Sequence, residues 1–128
     1  MNRRLLLIAG LALLGGCATA PPVAPPAPAP PPTPYGELEP LYAVSAGPGA
    51  LRISVASNGC TAKADFVFYV ERKGPELTVA FARKRLDDCQ SFAMGRAELA
   101  FTYEELGVAP QAPLFVLNPV TAWTGPGS

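Results

Sequence analysis

From residue 50 onward, apolar and polar side chains alternate with a period of two. Leu51, Ile53 and Val55 alternate with Arg52, Ser54 and Ala56, and Phe66, Phe68 and Val70 with Val67, Tyr69 and Glu71. Leu77, Val79 and Phe81 alternate with Thr78, Ala80 and Ala82, and Ala97, Leu99, Phe101 and Tyr103 with Glu98, Ala100 and Thr102. Successive side chains on a strand face opposite sides, so this period predicts half-buried β-strands. Lys73-Gly74-Pro75-Glu76 breaks the pattern and predicts a hairpin between the second and third runs. The run Leu114 to Leu117 is continuously apolar, stops at Asn118-Pro119 and is read as a fifth strand. Two short helical turns are expected. One spans Thr61 to Asp65 with Asn58 or Thr61 as its cap; the other spans Tyr103 to Gly107 between Thr102 and Gly107. Gly47-Pro48-Gly49 reads as a turn, since it lacks the Lys-Ser/Thr of a phosphate loop.

The first residues follow another logic. Asn2-Arg3-Arg4 forms a basic tip, Leu5 to Leu14 an apolar run, and small residues follow, which together have the build of a secretory signal. A helix of that run reaches only about 15 Å, half of a hydrocarbon core of roughly 30 Å, so a lasting membrane span is not expected. Leu14-Gly15-Gly16-Cys17 resembles the lipobox of bacterial lipoproteins. The competing reading is a plain signal peptide cut after Ala18-Thr19-Ala20. The lipobox resemblance implies a diacylglyceryl thioether on Cys17, cleavage after Gly16, usually a third, palmitate-like chain on the new amino terminus, and attachment to the bilayer. Two or more acyl chains hold a protein on a membrane where one is marginal. Ala18 stands where an aspartate often retains lipoproteins in the inner membrane. The expected location is therefore the periplasmic face of the outer membrane rather than the inner one.

On the lipobox reading residues 1–16 are expected to be a signal peptide, and residues 17–34 a lipidated Cys17 followed by a linker. Nine prolines among the seventeen residues Ala18 to Pro34 leave few backbone donors and no large side chains for a core. Such a segment favours polyproline II and spans on the order of 50 Å at about 3.1 Å per residue. Residues 35–128 remain for a single β-rich domain.

Two cysteines are left once Cys17 is acylated, and an even remainder in an oxidising compartment predicts a Cys60–Cys89 disulfide. It would close a loop of about 30 residues and stabilise by roughly 3.6 kcal/mol on chain-entropy grounds. Zinc would require four ligands; with no histidine in the chain and no further cysteine, no metal and no cofactor is expected. Removal of residues 1–16 leaves eight Lys+Arg against ten Asp+Glu, a net charge of −2 that gives nucleic-acid binding no support.

The pattern predicts a mainly β domain, a small antiparallel sandwich or half barrel of about five strands with one or two helical turns. Ser57-Asn58-Gly59-Cys60-Thr61, Leu86-Asp87-Asp88-Cys89 and Phe101 to Gly107 are loosely similar to small cysteine-pair domains of uncharacterised bacterial lipoproteins. That similarity implies no activity.

Catalytic constellations are poor. Without histidine there is no Ser-His or Cys-His pair, and Ser57 lacks the lysine of a Ser-x-x-Lys motif. Asp87 with Asp88 and Glu104 with Glu105 are adjacent, so their carboxylates diverge rather than share a proton. Arg83-Lys84-Arg85 is the candidate surface-binding cluster. It reads either as a solvated strand end, partly neutralised by Asp87 and Asp88, or as a contact for anionic lipid or cell wall. Trp123 reads as a cover over the sheet edge or an exposed binding aromatic. The expectation is a membrane-anchored envelope lipoprotein, a non-enzymatic binding or scaffold module whose partner is an envelope protein or cell-wall component. The alternative is a small periplasmic hydrolase or accessory subunit using surface carboxylates.

Overall fold

The structure, a computed structural model, describes Pro25 and residues 34–126. Cys17, the expected signal peptide at residues 1–16 and nearly all of the proline-rich segment lie outside the described residues. The five predicted runs all form strands, and a sixth precedes them. The strands are β1 (Ala43–Ala46), β2 (Ala50–Ser57), β3 (Phe66–Lys73), β4 (Glu76–Arg83), β5 (Gly95–Thr102) and β6 (Leu114–Val116). They make two three-stranded sheets, β1-β2-β5 and β3-β4-β6, and neither closes into a barrel. Among the described residues no helix is long and apolar enough to cross a membrane.

One apolar core joins the inner faces. Leu51, Ile53 and Val55 of β2 and Leu99 and Phe101 of β5 meet Leu77, Val79 and Phe81 of β4, all buried. Phe101 is the hinge of this packing, with ring centroids 4.8 Å from Phe81 and 5.8 Å from Phe68. β1 was missed by periodicity because Ala43-Val44-Ser45-Ala46 contains one large apolar residue; its pairing with β2 across the Gly47-Pro48-Gly49 turn makes it a strand. The turn is closed by Gly47 N–H to the Ala50 carbonyl at 2.9 Å. The β3–β4 hairpin turns on Gly74-Pro75, where Gly74 takes φ 62°, a conformation that favours glycine.

The expectation of a wholly antiparallel sheet is corrected at β6, which pairs with β4 in parallel. After β5 the chain turns through α1 (Tyr103–Leu106) and crosses to the other sheet, so β6 runs in the direction of β4. Thr102 caps α1, its hydroxyl accepting from Glu105 N–H at 3.1 Å, and Gly107 ends it in the left-handed region, both as the sequence predicts. The earlier turn is a single 3₁₀ turn, Lys63–Asp65, held by Ala62 N–H on the Asp65 carboxylate at 2.8 Å. Asn58 and Thr61, the expected caps, are bound elsewhere. Beyond the end of β6, the buried Asn118 side chain replaces a strand. Its amide accepts from Phe81 N–H at 2.8 Å and donates to the Phe81 and Glu39 carbonyls at 2.7 and 2.8 Å.

Candidate functional site

The polar chemistry of the domain gathers where β2 ends and the loop after β4 begins. Asp87 is its centre. Its Oδ2 accepts from Thr61 Oγ1 at 2.6 Å, Asn58 N–H at 2.8 Å, Ser57 Oγ at 3.0 Å and Cys60 N–H at 3.1 Å. Its Oδ1 accepts from Cys89 N–H at 3.2 Å, and its carbonyl from Asn58 Nδ2 at 3.1 Å. These donors, Thr61 foremost, hold the carboxyl far below its ordinary range against the opposing effect of desolvation. Cys60 and Cys89 are joined as a disulfide with Cα atoms 5.7 Å apart, directly beside this carboxylate. Cys60, Asp87 and Cys89 place potential ligand atoms within 4.8 Å of one another, but the two sulfurs are bonded to each other and offer no thiolate.

The three basic residues after β4 separate. Arg83 departs from the expectation of a solvated strand end. Its side chain is only 12% exposed, and its Nε and Nη2 fork onto Glu39, itself 11% exposed, at 3.1 and 2.6 Å. Nη1 reaches Thr61 Oγ1 at 3.2 Å, Nη2 the Ala56 carbonyl at 2.9 Å, and the guanidinium lies over the Phe66 ring. Arg85 pairs with the buried carboxylate of Asp65 at 2.6 Å but keeps its own side chain 71% exposed. Ala62 N–H and then Arg85 lower the Asp65 carboxyl below its ordinary range. Lys84 is exposed. The neutralising acids are thus Glu39 and Asp65, not Asp87 and Asp88, because Asp87 turns inward onto the end of β2.

Above the Arg83–Glu39 pair opens a cleft of about 340 Å³, with Ser57 and Asp87 at one side and Leu86 and Met94 as its apolar wall. Leu86 is 80% exposed, Met94 54%, and Phe92 fully exposed. Ser91 Oγ donates to the Ala93 carbonyl at 2.6 Å and tightens the turn that presents Phe92. Residues 84–94 are therefore a loop whose base is fixed by a disulfide and a carboxylate, and whose large apolar side chains face water.

The acidic pairs diverge as adjacent residues must. Glu105 accepts from Lys63 Nζ at 2.6 Å and Thr102 N–H at 2.8 Å, which lower its carboxyl to about 2, while Glu104 is exposed. Asp65, Asp87 and Glu105 all shift downward and stay ionised, whereas a general acid needs a raised value. Trp123 packs edge-on against Tyr42 at 4.8 Å and under the Arg96 guanidinium, with Nε1–H donating to the Pro126 carbonyl at 3.0 Å.

The structural roles of Glu39 and Asn118 left no sign in the sequence. Asp87 did leave one, standing two residues before Cys89 and opposite the polar run Ser57 to Thr61. No protein-family model, curated protein or solved structure matches the chain.

Proposed function

We propose that this chain is a lipid-anchored envelope protein of the outer membrane's periplasmic face, acting as a non-enzymatic binding module through residues 84–94. The anchor rests on Leu14-Gly15-Gly16-Cys17 and its basic and apolar lead. The observation that carries the binding role is the exposure of Leu86, Phe92 and Met94 on a loop whose base is braced by Asp87 and the Cys60–Cys89 bond. Grouped exposed apolar side chains mark interaction surfaces, and a pre-ordered loop loses less entropy on docking than a free one. Side chains of this kind suit another envelope protein better than a polysaccharide.

A photo-crosslinking residue at position 92 of the full chain, expressed in cells, tests this. A discrete protein adduct is expected, and Leu86→Ala with Met94→Ala should abolish it while leaving melting nearly unchanged. Absence of any discrete adduct, or an adduct indifferent to those substitutions, would overturn the reading. The anchor is tested separately: Cys17→Ser should leave an uncleaved precursor that takes up no palmitate analogue, and normal cleavage of that variant would refute the lipobox.

A further inference from the structure

The two sheets finish differently at their two sides. The edge strand β3 carries Glu71, Arg72 and Lys73, and the edge strand β5 carries Arg96 and Glu98. The opposite edges, β1 with Ala43-Val44-Ser45-Ala46 and β6 with Leu114-Phe115-Val116, carry no charge and no proline. Charges and prolines are the usual guards against pairing at an open edge; neither lies within these two short strands, although Pro113 and Pro119 flank β6 and a parallel bridge of Leu41 with Val120 ties the chain before β1 to the chain after β6. These two unguarded strands wall the same apolar cleft, of about 310 Å³, through Val44, Ala46, Leu114 and Val116, with Leu51 also lining it. The other face is apolar as well, with Phe115 of β6 and Leu117 just beyond it exposed.

The register fixes which backbone groups of β6 are free to pair. Val116 lies opposite Val79, and Leu117 N–H donates to the Val79 carbonyl at 2.9 Å. Peptide groups alternate along a strand, so Phe115 and Leu117 turn theirs toward β4. Leu114 and Val116 turn theirs outward, at the residues whose side chains line the cleft.

The chain's own residues 18–34 suit the edge poorly, since their nine prolines lack the N–H groups a ladder requires. Charge narrows the occupant further: none of the lining residues is charged, so an ion entering would lose its hydration with no counter-charge in return.

We propose that the β1/β6 cleft receives an extended, uncharged segment of another protein, which adds to the open edge of β6 as a strand and sets alternate apolar side chains into the cleft. The mode is β-strand addition, in which backbone bonds give affinity and alternate pockets give selectivity. It is independent of the loop at residues 84–94.

The test is selection of short random peptides displayed on phage against the full chain in detergent. Enriched peptides should be apolar at alternate positions and free of proline and of charge on the inward face. N-methylating their pairing amides should weaken binding by about tenfold or more. Bound peptide should slow hydrogen exchange at Leu114 and Val116. Val116→Lys should abolish binding, Val116→Ile should retain it, and Leu86→Ala should not matter. Failure to enrich any peptide would overturn the proposal. So would affinity unchanged by N-methylation, which would mean a site for side chains or small apolar molecules alone. A dimer that Val116→Lys dissociates would assign the cleft to a second copy of this chain and likewise overturn it.

Discussion

Asp87 shows how one side chain sets the shape of a loop. Four donors converge on its Oδ2 and Cys89 N–H on its Oδ1, and an amide cannot accept them all, since the NH₂ of Asp87→Asn would face a donor whichever way it turned. That variant should melt lower at pH 7 and lose the Phe92 crosslink. Its pH profile should change too. A carboxyl held below its ordinary value when folded contributes stability that is present above about pH 4 and is lost as pH falls through the folded value. The native protein should therefore weaken between about pH 4 and pH 2, and the variant should show a shallower fall, the remainder belonging to Asp65 and Glu105. An equal acid slope in both proteins would refute the role of Asp87. Arg83 makes a second case. Removing one partner of a buried pair strands the other, so Arg83→Gln should cost about 3 kcal/mol, whereas Arg83→Met with Glu39→Leu should recover most of it. Lys84→Ser should stay within about 0.5 kcal/mol. Three consecutive basic residues look alike in the sequence; the partner that distinguishes Arg83 is Glu39, which local pattern does not connect to it.

At the scale of elements, legibility followed how much each element depends on its own side chains. β2 through β5 were legible because their inward residues are large and evenly spaced, and α1 because Thr102, Glu105 and Gly107 are local signals. β1 was not legible, since it is held by β2 rather than by burial of its own residues, and the parallel course of β6 depends on where the intervening chain crosses. The disulfide followed from a count of cysteines, whereas the loop it braces required the carboxylate geometry that no spacing reveals. Two substitutions separate these kinds of support. Thr102→Ala removes a cap and should cost about 1 kcal/mol in denaturant unfolding. Asn118→Leu puts an apolar side chain of similar size in its place but leaves Phe81 N–H without its acceptor in a buried place, and should cost about 2 kcal/mol or more. Its equal or greater stability relative to the parent would show that Asn118 is dispensable as a substitute for a strand.

For the molecule as a whole, the Cys60–Cys89 bond joins the two layers. Cys60 follows β2 of one sheet and Cys89 follows β4 of the other, so the closed loop contains the whole β3–β4 hairpin. The separation of 29 residues corresponds to about 3.6 kcal/mol of loop-closure entropy. A domain this small has a total stability of about 5 kcal/mol, so the bond decides whether it stays folded. Replacing both cysteines with serine should lower stability by about 2 to 4 kcal/mol, a range that brackets the entropic figure, with Asp87 keeping part of the loop in place. The consequences should differ between the two surfaces. The loop at residues 84–94 contains Cys89 and should lose its fixed presentation first, so the crosslink at position 92 should fail under conditions where the β1/β6 cleft is still formed. Thiol counting on protein purified without reductant, denaturant melts of both forms and hydrogen exchange along β6 measure the three parts. Two reactive thiols without reduction would remove the bridge, and an unchanged midpoint for the Ser pair would remove its role in stability. Simultaneous loss of protection at β6 and of the loop contact would show that the two surfaces share one cooperative unit instead of failing in sequence.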